Sequence, residues 1–308
     1  MTTRLGSTSS FTQHTFVHLA AIDILSRHPA STVDFLASIL PPPATDFETH
    51  PLDRTLTLYY LNTAEHFTLS IPPQHVSHLL FAPAAPYLHP SQPTSHPHPP
   101  SPTPTTTALL EASHALTLTA LSSPSSAHLL PIHLPQYIPL LFSAFPAALS
   151  AQQFTLAFTT LARLAGAPQP QSYRARNQDA GEEMLEVLLD MLISRIQLGV
   201  ATGTSASTRP SAGAGVEPSQ HPLLHTLIAT LPLVPAALLA SYLDTTAALI
   251  GALPPGPGQE EARQRLWQVL AGGEVDVERS AVAVAWWGTR GGRERVLGLA
   301  DRAEEARL

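Results

Sequence analysis

The sequence predicts an all-α protein made of stacked antiparallel helix pairs, an irregular helical-repeat-like scaffold of the HEAT or armadillo type with two low-complexity linkers. Apolar residues recur at helical spacing in most segments, and Pro or Gly marks the segment ends. Alternation of the strand type is sparse. No repeat of fixed period is evident, so we expect an irregular scaffold rather than a regular solenoid.

Two low-complexity segments organise the chain. Residues 90–107 are rich in Pro, Ser, Thr and His, which predicts an extended, polyproline-like linker. Residues 199–220 are rich in Gly, Ala and Ser, which predicts a flexible loop. These segments separate an N-terminal helical block (1–89), a central helical block (108–198) and a C-terminal helical block (221–308).

Local signals indicate the individual helices. Pro51 suits the first turn of a helix over 53–69, and Ser150 with Gln153 has the pattern of a capping box. Further helices are predicted over 151–166, 182–198, 260–270 and 276–287, and from 293 to the end. Apolar faces are formed by Leu56, Tyr59, Tyr60, Thr63 and Phe67 in the helix over 53–69, and by Leu185, Leu188, Leu189, Leu192 and Ile196 in the helix over 182–198.

One uncharged stretch raises the question of a membrane span. Residues 223–243 are about long enough to cross a bilayer. Pro232 and Pro235 interrupt the stretch, and proline is unfavourable inside a helix. We therefore expect two buried helices joined near these prolines, in a protein that lies against a membrane rather than within it.

The composition limits the chemistry that the chain can perform. Charged residues make up 13% of the sequence with a formal net charge of −7, so a nucleic-acid partner is not expected. The chain has no Cys, which excludes disulfides, Cys-ligated zinc and a cysteine nucleophile. It also has no Lys, which excludes a P-loop.

Histidines at helical spacing are the remaining candidates for a metal site. None of these pairs has the Glu of an HExxH motif, so surface or capping histidines are the favoured interpretation. We expect no metal, no cofactor and no catalytic residue, although a Ser-His-Asp triad stays open because its members need not be neighbours in sequence. The pairs are His14/His18, His75/His78 and His221/His225.

Tandem tryptophans precede a glycine-rich turn near the C-terminus. Trp286 and Trp287 end an apolar helix, where a core position is the favoured interpretation and an anchor for a partner is the alternative. Residues 288–292, GTRGG, follow a helix rather than a strand. They therefore predict a turn between two helices that needs positive φ angles, not a phosphate-binding loop.

The last three residues form a candidate targeting signal. Ala306, Arg307 and Leu308 have the small-basic-leucine pattern of the C-terminal peroxisomal import signal, whose usual form is Ser-Lys-Leu. A receptor pocket can hold the terminal carboxylate, the cation and the leucyl side chain together, because an exposed chain end offers all three. The alternative interpretation is a frayed helix end.

Four segments resemble a known protein family. They are AIDILSRHPASTVDFLASI (21–39), HPLDRTLTLYYLNTAEHFTLSIPP (50–73), HLPQYIPLLFSAFPAALSAQQFTLAFTTLARL (133–164) and DVERSAVAVAWWGTRGGRERVL (276–297). In these segments the chain is similar to the filamentous-fungal form of peroxin-8, an intraperoxisomal import factor. The resemblance is one of overall pattern, since none of these segments is a catalytic motif.

The resemblance implies a non-enzymatic peroxisome biogenesis factor, peripheral on the lumenal side of the peroxisomal membrane. Such a factor bridges the receptor-docking complex and the RING-finger complex, and it helps the import receptor to release cargo. Ala306, Arg307 and Leu308 then bind the import receptor. Two alternatives remain: a peroxisomal matrix enzyme that uses the tripeptide only for import, and a general helical scaffold in which the tripeptide is accidental.

Overall fold

Helices form all of the regular structure that is described. A computed structural model of the chain describes residues 9–42, 51–89, 104–167, 180–205 and 220–298. Within these ranges every regular element is a helix and no strand occurs, which confirms the all-α prediction. The chain divides into two compact units, Met1–Leu149 and Ser150–Leu308.

Seven α-helices are described in the first unit. They are α1 (Ser9–Ser26), α2 (Pro29–Ser38), α3 (Pro51–Glu65), α4 (Pro73–Val76), α5 (Ala82–Ala84), α6 (Pro104–Ser122) and α7 (Leu130–Ala144). A π-helical segment, Ser77–Phe81, joins α4 to α5, and 3-10 turns cover Ala85–Tyr87 and Pro124–Leu129. Helix α3 lies against α6, and the π-helical segment packs against α2, α3 and α6.

One face of α3 supplies much of the core of the first unit. Tyr60 and Ala64 are fully buried there, as is Phe67 in the turn that follows α3. The Tyr60 hydroxyl donates a 2.7 Å hydrogen bond to the carbonyl of Leu79 in the π-helical segment. The predicted apolar face is therefore confirmed at its centre. The edge of the predicted face is not buried: Tyr59 is 45% exposed on the side of α3 away from this core.

Helix α7 is continuous although it contains two internal prolines. Pro135 and Pro139 both lie inside this single helix and are exposed. They are four residues apart and so lie on one side of the helix, where water can replace the lost backbone hydrogen bonds. Leu134 and Leu141 are buried on another side, and this packing favours a continuous helix despite the prolines.

In the described part of the second unit there are another seven α-helices. They are α8 (Ala151–Gly166), α9 (Ala180–Ser205), α10 (Gln220–Thr230), α11 (Ala236–Gly251), α12 (Pro257–Ala271), α13 (Val277–Thr289) and α14 (Gly292–Leu297). Helices α8, α9 and α10 pack against one another in pairs. Helix α10 also packs against α12, and α11 packs against α12, α13 and α14.

Several local predictions are confirmed in the second unit. Ser150 and Gln153 form the capping box, with the Ser150 Oγ accepting from the Gln153 N–H and the Gln153 side chain accepting from the Ser150 N–H. The predicted apolar face of α9 is buried throughout, since all five of its residues are 0–1% exposed. These residues are Leu185, Leu188, Leu189, Leu192 and Ile196.

The uncharged stretch over 223–243 forms two buried helices, as predicted. Helix α10 ends before a 3-10 turn at Leu231–Leu233, and α11 begins after Pro235. Leu227 and Leu243, on either side of this break, are fully buried. Among the described helices, none has both the length and the apolar character that crossing a bilayer requires.

Two helices extend into the segments for which low complexity predicts linkers. Helix α6 begins at Pro104, a residue type that is favourable in the first turn because it needs no hydrogen-bond partner for its nitrogen. Helix α9 continues to Ser205. The rest of the predicted linker, 90–103, and of the predicted loop, 206–219, lies outside the described residues.

Candidate functional site

The predicted receptor-binding residues follow the last described helix. Ala306, Arg307 and Leu308 lie outside the described residues, which end at Gly298. Gly298 has a φ of 65° and closes α14, its N–H donating to the carbonyl of Arg295. The packing of α14 therefore fixes the point from which the C-terminal segment departs.

A buried tryptophan and a carboxylate hold α14 in place. Trp286 on α13 is fully buried, and its Nε1 donates a 2.7 Å hydrogen bond to Oδ1 of Asp244 on α11. The guanidinium of Arg295 on α14 donates to the same carboxylate oxygen and forms an ion pair with it. The core position predicted for Trp286 is confirmed, and one acidic side chain connects three helices.

A glycine allows α14 to approach the ring of Trp286. A Cβ atom built on Gly292 would lie 2.6 Å from the indole carbons of Trp286, so no larger residue fits without a shift. The neighbouring Gly291 has a φ of 75°, in the left-handed region that favours glycine. The predicted turn between two helices is confirmed but is shorter than 288–292, because α13 continues to Thr289 and α14 begins at Gly292, and Gly291 alone of the five residues has a positive φ.

The second tryptophan of the tandem pair belongs to an accessible surface. Trp287 is half-buried, and its ring lies 5.0 Å from that of Trp267 on α12 with an interplanar angle of 47°. Trp267 is 50% exposed, and Val284, one turn before Trp287 on α13, is 72% exposed. We call Trp267, Val284 and Trp287 the tryptophan surface. Exposed aromatic clusters of this kind are typical of protein-binding sites.

The first unit has its own accessible apolar surface. On α1, Phe16 is 72% exposed, and on α3, Leu56 and Tyr59 are 46% and 45% exposed. The ring of His18 on α1 lies 6.3 Å from that of Tyr59, which brings these two helices together at this place. We call the exposed apolar side chains of these two helices, Phe16 on α1 with Leu56 and Tyr59 on α3, the α1–α3 surface. Further exposed side chains on the same helices are Val17, Leu19, Ile24 and Leu52.

The sequence contains a signal for the α1–α3 surface that its helical periodicity does not reveal. Apolar residues occur on all sides of α1, whereas a helix that packs only on one core normally has a single apolar stripe. Helix α1 packs against α2, but none of its described side chains is buried, and each is half-buried or exposed. Its apolar residues therefore stay accessible.

A histidine and a tyrosine form a buried polar pair in the first unit. His114 on α6 is 5% exposed, and its Nδ1 lies 2.9 Å from the hydroxyl of Tyr137 on α7. Burial lowers the pKa of His114 to about 4 and raises the pKa of Tyr137. The Leu88 carbonyl acts to raise the pKa of His114, but this effect is smaller than that of burial. His114 Nε2 has no partner with hydrogen-bond geometry. Both side chains are therefore neutral at pH 7.

The histidine pairs do not assemble into a larger ligand cluster where they are described. His221 and His225 have ring centroids 6.1 Å apart in an edge-on arrangement. Burial lowers the pKa of His225, and the negative charge of Glu261 opposes this shift. Within the described ranges, no three His, Cys, Asp or Glu side chains are grouped as metal binding requires. The side chain of His14 lies outside what the structure describes.

Two protein-family models match this chain. The family model of the PEX8 central TPR-like domain matches residues 32–122, and that of the PEX8 C-terminal domain matches residues 130–294. The chain belongs to the PEX8 family. The second model alone covers more than half of the chain, and it includes the Trp286–Asp244 contact and the first turn of α14. Comparisons with curated proteins and with solved structures gave no match.

Membership of the PEX8 family defines the broad role of the chain. The family consists of peroxisome biogenesis factors that act in protein import, and it is not known as an enzyme family. The chain is therefore a peroxin associated with the peroxisome, and its partners belong to the import pathway. The TPR-like match over 32–122 also agrees with the helical-repeat character predicted from the sequence.

Proposed function

We propose that this PEX8 protein acts on the lumenal side of the peroxisomal membrane as a peripheral bridge between the receptor-docking complex and the RING-finger complex. We further propose that it helps the import receptor to release its cargo. Family membership over 32–122 and 130–294 is the observation that carries this proposal. It acts by binding alone, so its accessible surfaces are where its function resides.

Two accessible apolar surfaces support the bridging role, because a bridge needs at least two separate binding sites. The tryptophan surface is built on α12 and α13 of the second unit, and the α1–α3 surface is built on the first unit. Each contains an exposed aromatic side chain, Trp267 in one case and Phe16 in the other. Aromatic residues are enriched at the buried centres of protein interfaces.

The C-terminal tripeptide supplies a third contact in this proposal. Ala306, Arg307 and Leu308 bind the pocket of the import receptor that also holds the cargo signal. Occupancy of that pocket by this chain excludes cargo, so release is driven by competition. The shift between the cargo-bound and cargo-free receptor is limited by the difference in the two affinities.

The bridging role is tested by pull-down of membrane peroxins with the full-length protein and two surface variants. Trp267→Glu disrupts the tryptophan surface, and Phe16→Asp disrupts the α1–α3 surface. We expect each variant to lose one of the two complexes and to retain the other. Retention of both complexes by both variants would show that these surfaces are not the bridging sites. Leu69→Asp is the matched control, because Leu69 is 76% exposed and belongs to neither surface.

The receptor contact is tested by direct titration and by localisation. A peptide ending in Ala306, Arg307 and Leu308 should bind the import receptor saturably and displace a cargo peptide. An N-terminally tagged full-length protein should be protected from protease inside peroxisomes, and removal of Leu308 should abolish this protection. Absence of saturable binding by the peptide would defeat the competition mechanism. Protection that persists without Leu308 would show import by a different route.

A further inference from the structure

A second apolar stripe runs along the outer side of α9. Val187, Met191 and Leu198 are 57%, 36% and 61% exposed, and Ser194 between them is also exposed. These four positions are separated by four, three and four residues, so they form one stripe along the helix. The stripe is distinct from the buried face of α9, which packs within the second unit.

The spacing of this stripe is that of the seam of a two-stranded coiled coil. In heptad notation Val187 and Ser194 occupy d positions, and Met191 and Leu198 occupy a positions. A helix that packs on one core only normally has polar residues on its solvent-facing side, where this stripe lies. Helix α9 therefore has one apolar side that packs in its own core and a second apolar side whose spacing suits packing against a partner helix.

The charges beside the stripe indicate which helix would fit. Asp190 lies at a g position and Arg195 at the e position five residues later, and both are exposed. In a parallel pair of identical helices, each g residue faces the e residue five positions later on the other helix. Asp190 of each copy would then face Arg195 of the other copy. In an antiparallel pair like charges would meet, which is unfavourable.

We propose that α9 is a homodimerisation surface, on which the α9 helix of a second copy of this chain packs in parallel and in register. The stripe supplies the apolar contact, and two Asp190–Arg195 pairs set the direction. The self-complementary charge pattern is what selects a second copy over an unrelated helix. This inference does not depend on the bridging role proposed above.

The expected dimer is weak and depends on concentration. Stable interfaces bury about 800 Å² per partner, and a stripe of four side chains with Ser194 in a d position provides less than that. The dimer should therefore form at high local concentration, as on a membrane surface or within an assembly. Concentration-dependent association of the full-length protein is the primary measurement.

Charge reversal tests the proposed geometry by sedimentation equilibrium of the full-length protein. Asp190→Arg or Arg195→Asp alone places like charges together twice in the dimer, and we expect at least tenfold weaker association. The double variant restores opposite charges and should return the dissociation constant to within about threefold of the original value. A double variant as weak as the single variants, or a wild-type protein that stays monomeric at all concentrations, would overturn the proposal.

The double variant also separates association from folding. Asp190 accepts a long hydrogen bond of 3.5 Å from the Tyr242 hydroxyl, and this contact is lost in Asp190→Arg and in the double variant alike. Restored association in the double variant therefore cannot come from that contact. Arg163→Asp on α8 is the matched control, because Arg163 is exposed and lies outside the stripe. It should leave the association unchanged.

Single-cysteine crosslinking gives a second and independent readout, since the chain has no native Cys. In a parallel, in-register pair each a position faces its own counterpart, so Met191→Cys and Leu198→Cys should form symmetric disulfide dimers under mild oxidation. Ala248→Cys on α11, which is also exposed, should not. Equal crosslinking at Met191 and Ala248 would contradict the proposed interface, even if the protein self-associates elsewhere.

Discussion

Trp286 donates its indole N–H to Oδ1 of Asp244, a residue 42 positions earlier in the chain, over 2.7 Å. The same oxygen accepts a hydrogen bond from the guanidinium of Arg295. Asp244 lies on α11, Trp286 on α13 and Arg295 on α14, so three helices of the second unit meet at one carboxylate. The position of α14, from which the C-terminal segment departs, therefore depends on a few polar atoms.

Replacing Asp244 should destabilise the second unit. Asp244→Ala leaves the buried Trp286 N–H without an acceptor, and an unsatisfied buried donor costs about 1–3 kcal/mol of folding free energy. Asp244→Asn keeps an acceptor oxygen and should lose less, because only the ion pair with Arg295 disappears. Urea denaturation followed by tryptophan fluorescence measures both changes. Equal losses in the two variants would contradict the role assigned to the hydrogen bond.

Gly292 provides a steric test of the same contact. Because a Cβ atom at Gly292 would lie 2.6 Å from the Trp286 ring, Gly292→Ala should displace α14 or the indole and destabilise by about 1–3 kcal/mol. Gly288→Ala is the matched control, since a Cβ atom there meets nothing within 4 Å inside α13. That change should stabilise by about 0.4–1 kcal/mol. Thermal melting of both variants should show shifts of opposite sign.

The sequence predicts those features that depend on neighbouring residues. The capping box of Ser150 and Gln153, the buried leucine face of α9 and the break near Pro232 all follow from residues a few positions apart. The resemblance to the peroxin-8 family is likewise visible within single segments of the sequence. These predictions succeed because each feature is determined by residues within the same helix or at its ends.

Features that depend on distant residues could not be predicted from the pattern. Nothing in the sequence distinguishes Trp286, which is fully buried, from Trp287, which is half-buried, because the difference depends on where Asp244 and Gly292 lie. The buried side chain of Gln259 is a similar case, since it donates to the carbonyl of Ile250 in the last turn of α11 and to that of Leu253 just after it. Such contacts become visible only when the helices are packed together.

Acrylamide quenching should separate the tryptophans by accessibility. The three tryptophans are residues 267, 286 and 287, and all of them lie in the second unit. Tryptophan fluorescence therefore reports on that unit alone. Trp267 is 50% exposed and should be quenched readily, whereas Trp286 is 0% exposed and should be protected. Trp267→Phe should remove most of the quenchable signal, and Trp286→Phe most of the protected signal. A partner that binds the tryptophan surface should protect Trp267, and unchanged quenching in the complex would place the contact elsewhere.

Acid should destabilise the first unit through His114. The pKa of this buried side chain is lowered from 6.5 to about 4, so between these values the unfolded chain binds a proton that the folded chain does not. Stability is therefore complete above pH 6.5 and falls as the pH drops towards 4; at pH 5 the loss due to this group is about 2 kcal/mol. Burial also lowers the pKa of His133 and His225, so a residual loss of the same sign is expected without His114. Urea denaturation at pH 7.5 and pH 5, followed by circular dichroism, should show a smaller loss for His114→Gln than for the wild type. Equal losses would show that His114 is already protonated in the folded protein or is accessible to water.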